Sequence, residues 1–230
     1  MRATEAREAA SVRLDAGLVA AHRPRLVPIL EGQAGSAWSP DRMAACRDGF
    51  VTRRCLELPR LLVGSDTELV AGYYHDLIRA GWLAHVSAPE RWVIDDDPVG
   101  QALHRRFRPL VEAAAGRPLR PSYCYATEYL PGAALHMHID RMACEFTISL
   151  MLDYDPLPAD GRSPWPLVFE TEAAGGMELV RFHQAPGDAV LFKGRALRHG
   201  RPATLGQERC LVVMLHYVEM DFPDALMDVL

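Results

Sequence analysis

The tripeptide His138-Ile139-Asp140 puts an imidazole and a carboxylate two residues apart. On a β-strand, side chains two apart project from the same face, so both polar groups point together while Ile139 turns the other way, into whatever packs behind. Imidazole is the commonest metal ligand among side chains, and hard carboxylate oxygen suits Fe(II) as a partner. A third ligand must come from elsewhere in the fold. His199 is the best candidate, on a strand beyond the turn Pro186-Gly187-Asp188. Two histidines and one carboxylate on one octahedral face leave three positions open. A closed zinc site would need a fourth ligand, and none of suitable spacing is evident. His136 shares the face of His138 and Asp140 and competes as a ligand, with a structural or substrate-facing role as its alternative.

Such a constellation needs strands to aim it, and the pattern supplies them after residue 120. Runs rich in aromatic and β-branched residues, separated by Gly, Pro and Asp clusters, predict strands near 122–129, 135–140, 145–153, 166–170, 177–183, 188–193, 197–203 and 208–218. Eight short strands of this kind point to a sandwich or jelly roll rather than a parallel sheet. Before residue 120 the pattern is mainly helical. Ser39-Pro40-Asp41 opens a helix, apolar residues recur at helical steps from Asp66 to Ala84, and another helix follows Asp97-Pro98. The expectation is one α+β domain over 1–230, its helical part at 1–119 packed on one face of a strand-rich core at 120–220.

The bulk properties exclude little and agree with an ordinary globular protein. With a net charge of −5 and a pI near 6.0, nothing points to nucleic acid as a partner. The five cysteines are odd in number, scattered and without a C-x-x-C pair, which suits reduced thiols in a cytoplasm. Charges interrupt the N-terminal stretch where a signal peptide needs an apolar run, and no segment reaches the roughly 20 apolar residues of a membrane helix. A cytoplasmic protein with no membrane partner is expected, its oligomeric state left open.

The segments YLPGAALHMHIDR, FTISLMLD and PGDAVLFKGRALRHGRPATLGQER occur in this order across 121–218. They resemble the iron- and 2-oxoglutarate-dependent dioxygenases, near the prolyl-hydroxylase-like branch. The resemblance implies a double-stranded β-helix (a cupin-like jelly roll) with Fe(II) held by His138, Asp140 and His199. It also implies that 2-oxoglutarate is oxidised by O2 to succinate and CO2 while a substrate C–H bond is hydroxylated. Related halogenases carry a small residue at the position of Asp140, so the retained carboxylate favours hydroxylation.

The same resemblance makes Arg209 the anchor for the distal carboxylate of 2-oxoglutarate, a task that suits the planar arginine fork. If strands 197–203 and 208–218 form a hairpin with an odd loop, His199, Arg201, Arg209 and Leu211 share one face; an even loop turns Arg209 away and makes Arg201 the anchor. Tyr129, placed as in relatives before the Pro-Gly turn, supplies a phenol, and Tyr123 and Tyr125 share its face. Leu211 stands where relatives often have a hydroxyl residue, and Leu150 or Met151 where some have a tyrosine. Arg141, Glu145, Lys193, Arg195 and Arg198 are expected near the open end, and the Pro- and Gly-rich loop Asp155–Pro164 is a candidate lid. The expected substrate is a small molecule such as an amino acid or natural-product intermediate. A peptide prolyl hydroxylase, an inactive jelly-roll binding protein and a cupin-like metalloenzyme are the alternatives.

Overall fold

The computed structural model describes residues 16–31, 36–173 and 175–227. Among the described residues, five α-helices precede the main strands: α1 (Ala16–Leu30), α2 (Pro40–Ala45), α3 (Arg47–Arg53), α4 (Gly64–Arg79) and α5 (Pro98–Ala115). Two starts follow the expected chemistry. Ser39 Oγ accepts from Arg42 N ahead of Pro40, and Asp97 accepts from Val99 N and Gly100 N ahead of Pro98. Gly116, at φ 72°, closes α5 in the left-handed region.

Eleven strands of the described residues form two antiparallel sheets. The larger has the order β1 (Cys55–Leu58), β9 (Ala189–Phe192), β6 (Phe146–Asp155), β11 (Arg209–Glu219), β4 (Leu119–Tyr129), β3 (Glu90–Asp95), β2 (Ala84–Ser87). The smaller has the order β5 (Leu135–His138), β10 (His199–Arg201), β7 (Leu167–Ala173), β8 (Gly176–Phe182). All eight expected strands are present. The pattern missed β1, β2 and β3, which lie among the helices and extend the larger sheet.

Strand β11 shows how the layers divide. Leu211, Val213, Leu215 and Tyr217 face the helices and join a core with Tyr73 and Leu77 of α4 and Leu103 and Phe107 of α5. Full burial of side chains of this size stabilises by about 1.5–3 kcal/mol each. The alternate residues Cys210, Val212 and Met214 face the smaller sheet, where they meet Tyr129, Met151 and Trp165. Both faces of β11 are therefore buried, and the strand reads as a continuous apolar run. The helices cover one face of the larger sheet, and the other face looks onto the smaller sheet. No helix of the described residues is long and apolar enough to cross a membrane.

The hairpin expected between 197–203 and 208–218 does not form. Strand β10 pairs with β5 and β7 in the smaller sheet, whereas β11 pairs with β4 and β6 in the larger one. The connection crosses between sheets, so loop parity fixes no common face. The end of the loop Asp155–Pro164 is tied to the chain after β8: Ser163 N donates to Gln184 O, and Arg162 Nη1 donates to His183 O.

Candidate metal centre

His138 ends β5 and His199 opens β10, and the two are direct partners in the sheet register. Asp140 lies just past β5, its backbone N–H bonded to Gly194 O at 3.0 Å. The three side chains converge: His138 Nε2 and His199 Nε2 lie 3.4 and 3.5 Å from the same oxygen, Asp140 Oδ1. Each imidazole is aimed by its own backbone. His138 Nδ1 is 2.8 Å from His136 O, and His199 Nδ1 is 2.9 Å from Leu197 O. A carbonyl can only accept, so Nδ1 keeps a proton in both rings, and Nε2 is the atom that can give up its own to bind a metal.

Burial alone would raise the Asp140 carboxyl, but hydrogen bonds and charge from the two histidines hold it well below the usual carboxylate range. The hydrogen bond to Asp140 in turn raises His138. Asp140 Oδ2 is buried without a partner. The donor set, with one unsatisfied carboxylate oxygen and two oriented Nε2 atoms, fits a divalent metal of the Fe(II) kind. His199 is 3% exposed, against 37% for the His138 side chain, so the centre opens on the His138 side. There a cleft of about 720 Å³ is lined by Pro89, Glu90, Pro131, Leu135, His136 and His138. The His136 side chain is exposed and is not one of the converging groups. Ile139, expected to pack inward, is 57% exposed.

Behind the triad lies a group that the sequence reading passed over. His216 of β11 shares its Nδ1 with Thr147 Oγ1 at 2.9 Å and stacks on Tyr123 with ring centroids 4.4 Å apart. Burial depresses it to about 3, so it is neutral, and its Nε2 is buried without a partner. Asp140, Cys144 and His216 bring ligand-type atoms within 4.8 Å of one another. In sequence His216 sits inside an apolar strand and gives no signal of its own.

The structure separates the expected co-substrate residues. Arg209 faces the helices, half-exposed, with Nη1 3.1 Å from Glu128 Oε2; the inward position beside it belongs to Cys210. Arg201 is 2% exposed and faces the space between the sheets. Its Nη1 donates to Trp165 O at 2.6 Å and its Nη2 to Gln184 Oε1 at 2.8 Å. Both acceptors are neutral, and no carboxylate of the described residues pairs with it. Tyr129 is buried there against Trp165, with ring centroids 5.1 Å apart.

A second arginine joins it. Arg91 of β3 stands opposite Tyr129 in the register, with its guanidinium carbon 6.0 Å from the Tyr125 and Tyr129 rings. Its Nε is buried without a partner. Burial raises the Tyr129 phenol, and the charges of Arg91 and Arg201 both act against that rise. The alternation in ERWVID, with Trp92 and Ile94 turned to the helices, is the signal that would have placed Arg91 on the inner face.

No protein-family model and no curated protein matches the sequence. Among solved structures, the fold is that of the iron- and 2-oxoglutarate-dependent oxygenases. The non-haem α-ketoglutarate-dependent epimerase SnoN from nogalamycin biosynthesis superposes with a TM-score of 0.62 at 18% identity, over 78% of this chain and 82% of that one. A prolyl-4-hydroxylase from Pseudomonas putida gives 0.61 at 17% identity, over 76% and 97%. HygX from Streptomyces hygroscopicus, solved with nickel, 2-oxoglutarate and hygromycin B, gives 0.58 at 18% identity, over 77% and 87%.

Proposed function

We propose that the protein is an Fe(II)- and 2-oxoglutarate-dependent oxygenase that hydroxylates a C–H bond of a small molecule. The observation that carries this reading is the pair of histidine Nε2 atoms meeting one Asp140 oxygen, each imidazole fixed by a carbonyl at its Nδ1. His138, Asp140 and His199 would hold the metal, which supplies O2 activation coupled to oxidation of 2-oxoglutarate to succinate and CO2. The two facing sheets agree with a double-stranded β-helix. Neighbours in fold include an epimerase of nogalamycin biosynthesis, a protein solved with hygromycin B bound and a prolyl-4-hydroxylase, and the cleft beside His138 is of ordinary small-molecule size. The five cysteines are all unpaired, in keeping with a cytoplasmic protein.

The anchor for the distal carboxylate of 2-oxoglutarate passes from Arg209 to the inner pair, Arg91 and Arg201, with Tyr129 between them. Losing a charged hydrogen bond costs about 1.5–3 kcal/mol, which corresponds to roughly 10–150-fold in affinity. Arg91→Leu should therefore raise the 2-oxoglutarate concentration for half-maximal succinate formation by at least about tenfold. Arg209→Ala should leave it unchanged, because that side chain lies on the helix face. Succinate release, followed with and without added Fe(II), checks both. A wild-type requirement in Arg91→Leu would remove Arg91 from the subsite, and no succinate from the wild-type protein would overturn the oxygenase reading.

A further inference from the structure

Five charged residues were expected near the open end, and four have other work. Glu145 accepts from Arg195 Nη2 at 2.6 Å and from Glu219 N at 2.7 Å, so it and Arg195 are tied to each other and to the end of β11. Lys193 lies over the Phe146 ring on the helix face, and Arg198 donates to Met137 O beside Glu170. Arg141 differs. It is half-buried, its guanidinium carbon lies 4.2 Å from the Tyr123 ring centroid, and its Nε donates to Tyr123 Oη at 3.0 Å. Tyr123 Oη is in turn 3.0 Å from Cys144 Sγ, and Cys144 is one of the groups gathered around Asp140. Burial raises both the phenol and the thiol, so these neighbours are neutral. No carboxylate of the described residues pairs with Arg141.

A half-buried guanidinium beside a metal centre, bonded to the neutral Tyr123 and Cys144 and to no carboxylate of the described residues, keeps terminal N–H groups for an anion. Met142, the residue after Arg141, is exposed at 40% and offers apolar surface. The geometry points to Arg141 as the residue that selects the substrate, by binding a carboxylate or phosphate group of a partly apolar small molecule. This rests on the oxygenase reading for the word substrate, but the anion site itself does not. The centre then lies between two cationic subsites: Arg91 and Arg201 beyond Tyr125 for the co-substrate, and Arg141 beside Tyr123 for the substrate.

The test is calorimetric titration of the metal-free, full-length protein with benzoate, phenyl phosphate and uncharged benzyl alcohol. One or both anions should bind the wild-type protein and benzyl alcohol should not; the better anion identifies the charged group of the substrate. Arg141→Leu should weaken the anion at least tenfold, Arg141→Lys should weaken it less, and Arg209→Ala, on the helix face, should bind it as the wild type does. The inference is overturned if neither anion binds, if Arg141→Leu and Arg141→Lys both bind as tightly as the wild type, or if Arg209→Ala loses the anion as Arg141→Leu does. Because no iron or 2-oxoglutarate is present, failure here leaves the oxygenase reading standing. Absence of succinate formation leaves the anion site standing.

Discussion

Asp140→Ala should abolish succinate formation while the protein stays folded. Asp140 Oδ1 is the atom on which both histidines converge, so its removal leaves two neutral ligands where three met. Losing an outer-shell partner typically lowers metal affinity by about 10–100-fold, and loss of a direct ligand should exceed that. Titration with Fe(II) under anaerobic conditions, beside a thermal melt of each protein, measures the two quantities separately. His138→Ala should behave alike, since the His138 side chain is partly exposed and leaves little void. His199→Ala is a poorer probe: His199 is buried beside Phe169 and Phe192, so truncation also opens a cavity in the core. Wild-type metal affinity in Asp140→Ala would remove the carboxylate from the site.

Gly194→Ala should be nearly as damaging, although residue 194 carries no side chain. A Cβ there would collide with Asp140 Oδ2 and stand 2.9 Å from both Cys144 O and Thr147 Oγ1. Gly194 is not among the positive-φ glycines, so alanine brings no backbone strain of that kind. The conflict is steric and falls on the carboxylate, the softest of the three neighbours. The expected result is a fall in Fe(II) affinity of about 10–100-fold, the scale of an outer-shell defect. Overpacking should cost about 1–3 kcal/mol of stability. Equal metal affinity in Gly194→Ala and the wild type would show that Asp140 has room to move without consequence.

What the sequence revealed follows from the range of each interaction. His138 and Asp140 were legible because alternation along an extended chain is local. The same rule misplaced Ile139 only in its surroundings: it does turn away from the metal centre, but into solvent. Arg209 lies on the helix face for a non-local reason. Its face depends on which sheet β11 joins, and neither loop length nor spacing encodes that the chain crosses between sheets after Arg201. Arg91 was lost with β3, a six-residue strand between helices whose alternation is too short to compete with the helical pattern around it. His216 is silent in sequence because β11 is buried on both faces, so an inward polar residue and a core residue look alike. Arg141 was visible as a charge, and only the partners of its four companions set it apart.

The most direct measurement is the visible spectrum of the anaerobic protein with Fe(II) and 2-oxoglutarate. A weak charge-transfer band should appear in the wild-type protein, be absent from Asp140→Ala, and be followed by succinate when oxygen is admitted. A featureless wild-type spectrum, with no succinate after oxygen, would contradict an iron centre built on His138, Asp140 and His199.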